Sequence, residues 1–258
     1  MCGTCGCHQP AEKEAGQSQR RRLEVDLDLF SLNNRYAQTN REYFARNSLL
    51  VLNLVSSPGA GKTRLLEETL KSQLGRIEVA VIEGDQQTRQ DANRIEATGA
   101  HAVQINTGTG CHLDAHMVGH AMEDLGALRN GILYIENVGN LVCPANFDLG
   151  EAAKVVILSV TEGDDKPLKY PDMFAASRLM VINKTDLLPH VDFDVERCIE
   201  YARRINPSIE VIQLSATTGE GLPEWLDWLE GEYQSLVETR IGHLQQELDE
   251  LRAQLEQG

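Results

Sequence analysis

Three thiols stand close together at the start of the chain, Cys2, Cys5 and Cys7, with Gly3 and Gly6 between them and His8 next in line. Thiolates this near one another can share a metal ion, and the glycines ease the tight path that sharing requires. Three sulfurs want a fourth donor, and the α-amine and His8 are both in reach. Three sulfurs and one nitrogen suit Ni(II) in a square plane or Zn(II) in a tetrahedron. A zinc knuckle that merely folds the terminus is the alternative reading, and a disulfide is disfavoured wherever thiols stay reduced.

Further on, Ser56-Ser57-Pro58-Gly59-Ala60-Gly61-Lys62-Thr63 joins an apolar run, Leu49–Val55, to a helical pattern through Leu65, Leu66 and Leu70. A glycine-bearing turn between strand and helix lets backbone N–H groups close around phosphate oxygens at a helix N-terminus. Lys62 then reaches the β- and γ-phosphates, and the Thr63 hydroxyl holds magnesium. The pattern G-x-x-x-x-G-K-[ST] wants glycine where Ser56 stands, so Ser56 must take an ordinary backbone angle.

Asn183-Lys184-Thr185-Asp186 follows the apolar strand Leu179–Ile182. The Asp186 carboxylate can accept from both N1–H and N2–H₂ of guanine, whereas adenine would leave a buried charged acceptor unpaired. Ser215-Ala216-Thr217, after the last strand, can offer a backbone N–H to the base oxygen. Asp85 and Glu136 end two other strands, at the carboxyl edge where α/β sheets bind ligands. Either can orient magnesium or its bound water, although Asp85 can also be read as a helix N-cap. Asn140 follows Glu136-Asn137-Val138-Gly139, where many GTPases carry a longer, water-positioning Gln, so intrinsic hydrolysis should be slow.

A second group of soft ligands is Cys111-His112, with Cys143 just beyond the Glu136–Gly139 segment. His112, His116 and His120 are spaced by four and would share one helix face. If the two segments meet, Cys111, His112 and Cys143 make a metal site beside Glu136–Gly139, which stands in the place of the Asp-x-x-Gly segment that senses the γ-phosphate in other GTPases. The alternative is a solvated histidine stripe with Cys143 as apolar filler. Cys198 reads as core.

The elements that must hold these groups alternate. Strands are expected at Leu49–Val55, Glu78–Glu83, Ala102–Asn106, Ile132–Glu136, Val155–Val160, Leu179–Asn183 and Glu210–Leu214, separated by amphipathic stretches. That pattern predicts an α/β fold with a mostly parallel central sheet flanked by helices. Residues 1–28 read as a cysteine metal-binding motif and flexible tether. A packing helix should begin near Leu29 with Leu32, Tyr36 and Phe44 inward, within a nucleotide-binding domain at 29–231. Residues 232–258 carry Val237, Ile241, Leu244, Leu248, Leu251 and Leu255 in an a/d rhythm, which serves either a helix laid on its own domain or self-association.

The chain has 258 residues, 24 Lys plus Arg against 39 Asp plus Glu, and a formal charge of −15. Such acidity argues against nucleic acid and anionic membranes. With no signal peptide and no apolar run of spanning length, the expected location is cytoplasmic.

Taken together, these motifs resemble the hydrogenase nickel-incorporation GTPases, the HypB family, over Leu49–Leu229 and the first seven residues. The segments that carry the likeness are Cys2-x-x-Cys5-Gly-Cys7, Ser57–Thr63, Glu83-Gly84-Asp85, Gly110-Cys111-His112-Leu113, Glu136–Pro144 and Asn183–Asp186. The resemblance implies a P-loop GTPase that delivers nickel for [NiFe]-hydrogenase assembly, with GTP/GDP, Mg2+, Ni2+ and Zn2+ as its ligands. It implies a homodimer in the GTP state, with other maturation factors and the hydrogenase large subunit as partners. It also implies a high-affinity nickel site at the N-terminal cysteines and a second nickel or zinc site at Cys111, His112 and Cys143, which His116 can join. Lys169 resembles a lysine that reaches the partner's nucleotide. A long His-rich segment found in many members is missing, which makes bulk nickel storage doubtful. The related urease accessory GTPases show Cys-Pro-His where this chain has Cys143-Pro144-Ala145. A sequestration protein with a structural nucleotide is the reading from another class.

Overall fold

A computed structural model of the protein describes residues 11–85 and 89–257. Seven strands form one sheet in the order β3-β2-β4-β1-β5-β6-β7. They are β1 (Leu49–Ser56), β2 (Glu78–Asp85), β3 (His101–Asn106), β4 (Gly131–Glu136), β5 (Ala153–Ser159), β6 (Ser177–Asn183) and β7 (Glu210–Gln213). Every neighbouring pair is parallel. All seven expected strands are present, with ends shifted by one or two residues. Burial on both faces explains their near-continuous apolar character: every residue of β1, β4 and β5 is buried.

The helices are α1 (Ala11–Arg46), α2 (Lys62–Gln73), α3 (Gln90–Glu96), α4 (Ala115–Leu125), α5 (Lys166–Lys169), α6 (Pro171–Ala176), α7 (Val195–Ile205) and α8 (Leu222–Gln257). One side of the sheet packs Leu52, Leu54, Tyr134 and Val181 against Leu65 and Leu70 of α2 and Trp225 and Leu229 of α8. The other side divides into a cluster around α1 and α4 and another around α6 and α7.

Helix α1 departs from expectation twice. It starts at Ala11, so residues 11–28 are helical where a flexible tether was expected. That stretch lacks an apolar period, but its Ala, Glu, Gln, Lys and Arg are strong helix formers. Nor do Leu29, Leu32 and Tyr36 face inward: they are exposed, while Asn33, Ala37, Asn40 and Phe44 are buried. The helix docks through polar groups. Asn40 Nδ2 donates to the carbonyls of Ala115 and Leu149 at 2.8 and 3.0 Å, and Asn33 bonds Asp148 O and Ala115 N. Gly150, at φ +90°, allows the approach, since a Cβ there would lie 2.7 Å from Ala37 O.

Helix α8 runs unbroken across residues 231 and 232. The boundary expected there, like the one after residue 28, falls within a continuous helix.

Candidate functional site

The nucleotide-binding elements converge at the carboxyl end of the central strands. β1 lies between β4 and β5, so the chain leaves it where the sheet's connections diverge. The loop after it turns at Gly59 (φ +77°) and Gly61 (φ +96°) and enters α2 at Lys62. Ser56, in glycine's place, has no positive φ and is fully buried. Its hydroxyl accepts from Lys62 Nζ at 3.0 Å and donates to the Ser57 carbonyl at 2.6 Å. Burial lowers the Lys62 pKa, against the opposing pull of Glu136 and neighbouring carboxylates.

Asn183 and Lys184 brace this loop. Asn183 Nδ2 donates to Ala60 O at 2.9 Å, and Lys184 Nζ to Gly59 O at 2.7 Å. Gly61 is required twice over, because a Cβ there would sit 2.6 Å from Asn183 Nδ2. Asp186 Oδ1 accepts from Ser215 Oγ at 2.5 Å. The Ala216 N–H donates to Asn183 Oδ1 at 3.1 Å. The structure thus gathers Asn183, Lys184, Asp186, Ser215 and Ala216 at one edge of the loop.

Four carboxylates, Glu136, Asp91, Glu83 and Asp85, act on Lys62. Register sets Glu83 beside Glu136 across β2 and β4. Glu136 is buried, and its Oε1 accepts from Thr63 Oγ1 at 2.7 Å while its Oε2 has no partner. Burial raises its pKa, with Lys62 pulling the other way. An unsatisfied carboxylate oxygen beside a threonine hydroxyl is a donor set suited to a hard cation such as magnesium. Asp85 ends β2 and lines the same cavity with Lys62, Thr63 and Glu136. It caps no helix, because α3 begins at Gln90 with Arg89 in the N-cap position.

Glu83, two residues before Asp85, belongs to the site although the motif pattern gives it no role. It is buried, its Oε2 is unpaired, and burial beside Glu136 and Asp85 pushes its pKa up to about 8. A charged residue inside an otherwise apolar strand was the available signal. Lys166 was also overlooked: its Nζ donates to Ser57 Oγ at 3.0 Å and pairs with Glu162 at 2.9 Å. Lys169 lies one helical turn on, exposed and paired with Asp165 at 2.7 Å, outside its own chain's phosphate loop.

Cys111, His112 and Cys143 come together, with one ligand atom from each mutually within 4.8 Å. The two sulfurs are 2.6 Å apart, and Cys111 Sγ is 3.5 Å from His112 Nδ1. The hydrogen bond to Cys143 and then burial raise the Cys111 pKa, and burial lowers that of His112. A neutral imidazole and two thiols in contact suit a borderline or soft divalent ion. The three histidines do not share a helix face. His112 precedes the Asp114 N-cap of α4 and packs at a tilt against Phe147, while His116 and His120 approach to 3.1 Å between Nε2 atoms. The shortfall arises because Asp114 accepts from Met117 N and starts the helix after His112. His116 therefore lies outside the compact triad. Cys198 is buried, as expected. Cys2, Cys5, Cys7 and His8 lie outside the described residues.

The two sites are joined by hydrogen bonds. Asn137 Oδ1 accepts from Leu113 N at 3.1 Å, and Asn140 Nδ2 donates to Cys111 O at 3.2 Å. Leu113 also presses on β2, since a Cβ on Gly84 would lie 2.8 Å from it.

A parallel sheet with a strand–loop–helix phosphate cradle at its centre defines a P-loop NTPase. The family described as CobW/HypB/UreG, nucleotide-binding domain, matches residues 50–213. A hydrogenase maturation factor HypB from Azotobacter vinelandii is 62% identical over 247 residues, covering 95% of this chain and 82% of that protein. The crystal structure of HypB from Archaeoglobus fulgidus superposes with a TM-score of 0.74 at 40% identity, covering 79% of this chain and 99% of the other. HypB from Helicobacter pylori in complex with nickel gives 0.74 at 39% identity, covering 79% and 95%. The chain belongs to the HypB family of hydrogenase maturation factors.

Proposed function

We propose that this protein is a GTP-hydrolysing nickel metallochaperone that delivers nickel for [NiFe]-hydrogenase assembly. The observation that carries the reading is the pair of hydrogen bonds from Asn137 and Asn140 to the Cys111–Leu113 loop. Asn137 and Asn140 flank Gly139, which lies so near the phosphate loop that a Cβ there would come within 3.1 Å of Pro58. A γ-phosphate that shifts this segment therefore moves the backbone bearing Cys111 and His112. Nickel is cargo at Cys111, His112 and Cys143, where zinc competes for the same donors, and the N-terminal Cys2, Cys5 and Cys7 form a separate nickel site. The relative solved with nickel supports that choice of ion.

In the nucleotide site, Lys62 leaves Ser56 for the β- and γ-phosphates, and Ser57–Thr63 wrap the phosphates with backbone N–H groups. Thr63, Glu136 and Asp85 would hold magnesium, which supplies charge neutralisation at the transferring phosphoryl group. Asp186 reads guanine, with Asn183 and Lys184 fixing the loop beneath it and Ser215 and Ala216 beside it. Asn140 is committed to the Cys111 carbonyl and orients no water from there, consistent with slow hydrolysis. GTP brings the nucleotide faces of two subunits together and places Lys169 at the partner's nucleotide.

The test is the rate of nickel release from Cys111, His112 and Cys143, measured in a Cys2→Ser/Cys5→Ser/Cys7→Ser variant with GDP and with a non-hydrolysable GTP analogue. Different rates support delivery. Identical rates assign the protein to metal sequestration, with the nucleotide serving stability alone.

A further inference from the structure

The outer half of α8 takes part in none of the foregoing. Its first half is fastened to the body, with Trp225 and Leu229 fully buried and Leu226, Tyr233 and Leu236 packed around them. From residue 241 to residue 255 every side chain is exposed. At 1.5 Å per residue this is a rod of about 21 Å. Ile241, Leu244, Leu248 and Leu251 are 45–52% exposed, and Leu255 is 82% exposed. A bare helix of this length is marginal in water, and a sustained apolar stripe along it calls for a partner.

We propose that this segment pairs with the same segment of a second copy as a parallel two-stranded coiled coil, whichever nucleotide is bound. Ile241, Leu248 and Leu255 occupy the a positions, and Val237, Leu244 and Leu251 the d positions. Among the a positions Ile241 alone is β-branched, and with Leu244 at d it favours two parallel strands at that layer, while Leu248 and Leu255 leave the choice to charge. Charge sets the orientation. In the parallel register Glu247 at g meets Arg252 at e of the second copy, twice by symmetry, and Arg240 meets the neutral Gln245. The antiparallel register that stacks the same six apolar residues also pairs Arg252, with Glu238, but it sets Glu247 against Glu247. Only the parallel arrangement satisfies the outward charges without a like pair. It joins two nucleotide-binding domains by their C-terminal helices, so that any contact between their nucleotide faces becomes intramolecular and effectively concentrated.

Sedimentation of the full chain with GDP and a metal chelator tests this, because GTP-driven and metal-bridged association are then absent. A dimer is expected. Leu244→Lys with Leu251→Lys should give a monomer that binds GDP as tightly as the parent chain. Glu247→Lys should weaken the dimer, and Glu247→Lys combined with Arg252→Glu should restore it. A monomeric parent chain, or a dimer indifferent to the two lysines, overturns the proposal. So does a charge-swapped chain weaker than the single variant, which is the result an antiparallel pair gives through Glu238.

Discussion

Asn140 Nδ2 donates to the Cys111 carbonyl across 3.2 Å, tying the segment after Glu136 to the backbone of a metal-ligand candidate. Asn140 Oδ1 at the same time accepts from Val142 N at 2.8 Å, next to Cys143. One amide thus spans the two cysteine-bearing loops. Asn140→Ala should leave GTP binding intact while shrinking the nucleotide-dependent difference in nickel affinity. A neutral hydrogen bond contributes about 1 kcal/mol, so the difference should fall by about fivefold. Nickel titrations of the parent and variant with GDP and with a non-hydrolysable analogue read this directly, and an undiminished difference removes Asn140 from the link.

Lys62 sits where the phosphates would draw it from Ser56, and it is buried among carboxylates. Lys62→Ala removes the cation that compensates charge on the transferring group, so GTP turnover should fall by about a hundredfold or more. Nickel binding at Cys2, Cys5 and Cys7 should be unchanged in the folded variant, because three adjacent thiolates need no phosphate loop to hold an ion. Loss of that tight site would contradict two separable modules. Isothermal titration under anaerobic conditions gives both quantities.

Asp186 is held by the Ser215 hydroxyl at 2.5 Å, which leaves its other oxygen to face a base. Asp186→Asn turns an acceptor into a donor. GTP should bind more weakly and xanthosine triphosphate more tightly, since the carbonyl at C2 of xanthine accepts from the amide. Competition between the two nucleotides measures the switch, and an unchanged preference would falsify the assignment of Asp186 to the base.

Stability offers a prediction independent of ligands. The Trp225 indole N–H, fully buried between α8 and α2, donates to Thr69 Oγ1 at 2.8 Å. Thr69→Val keeps the shape and strands that donor, which costs about 1–3 kcal/mol. Urea unfolding of the nucleotide-free protein should show an unfolding free energy lower by that amount, read as an earlier midpoint at unchanged slope. Trp225→Phe in the same background should recover part of the loss, since the orphaned donor is then gone.

What the sequence made legible follows from how local each signal is. Strands buried on both faces, such as β1, β4 and β5, are continuous apolar runs, and even the less buried edge strands β3 and β7 keep enough Val and Ile to be read. The phosphate loop and Asn183–Asp186 are contiguous motifs, and their positions at strand ends put them in one cleft. Contacts between distant segments were less visible. The inward face of α1 is built from Asn33 and Asn40, whose targets at Ala115, Asp148 and Leu149 are unrelated to any hydropathy period. Whether Cys143 meets Cys111 depended on the path of two loops, and spacing alone left it open. His112 fell outside α4 because a single cap, Asp114, decides where that helix starts. Glu83 went without a role because its chemistry comes from neighbours on another strand.

Two lysines on α5 divide the work at the phosphate loop. Lys166 touches its own Ser57 hydroxyl, whereas Lys169 is 59% exposed and points away from it. Lys166→Ala should therefore lower GTP turnover at every protein concentration, by loosening Ser57 within one subunit. Lys169→Ala should behave differently if it serves the partner's nucleotide: in the untethered Leu244→Lys/Leu251→Lys background, turnover of the dilute protein stays at the value of that background, and the rise with protein concentration disappears. The Asp165 carboxylate holds Lys169 near 2.7 Å, a pairing that an entering phosphate must break. Asp165→Asn should accordingly steepen the rise with concentration. Turnover measured over a wide range of protein concentrations separates the two lysines. Equal losses from both variants in dilute protein would place Lys169 within its own subunit's site.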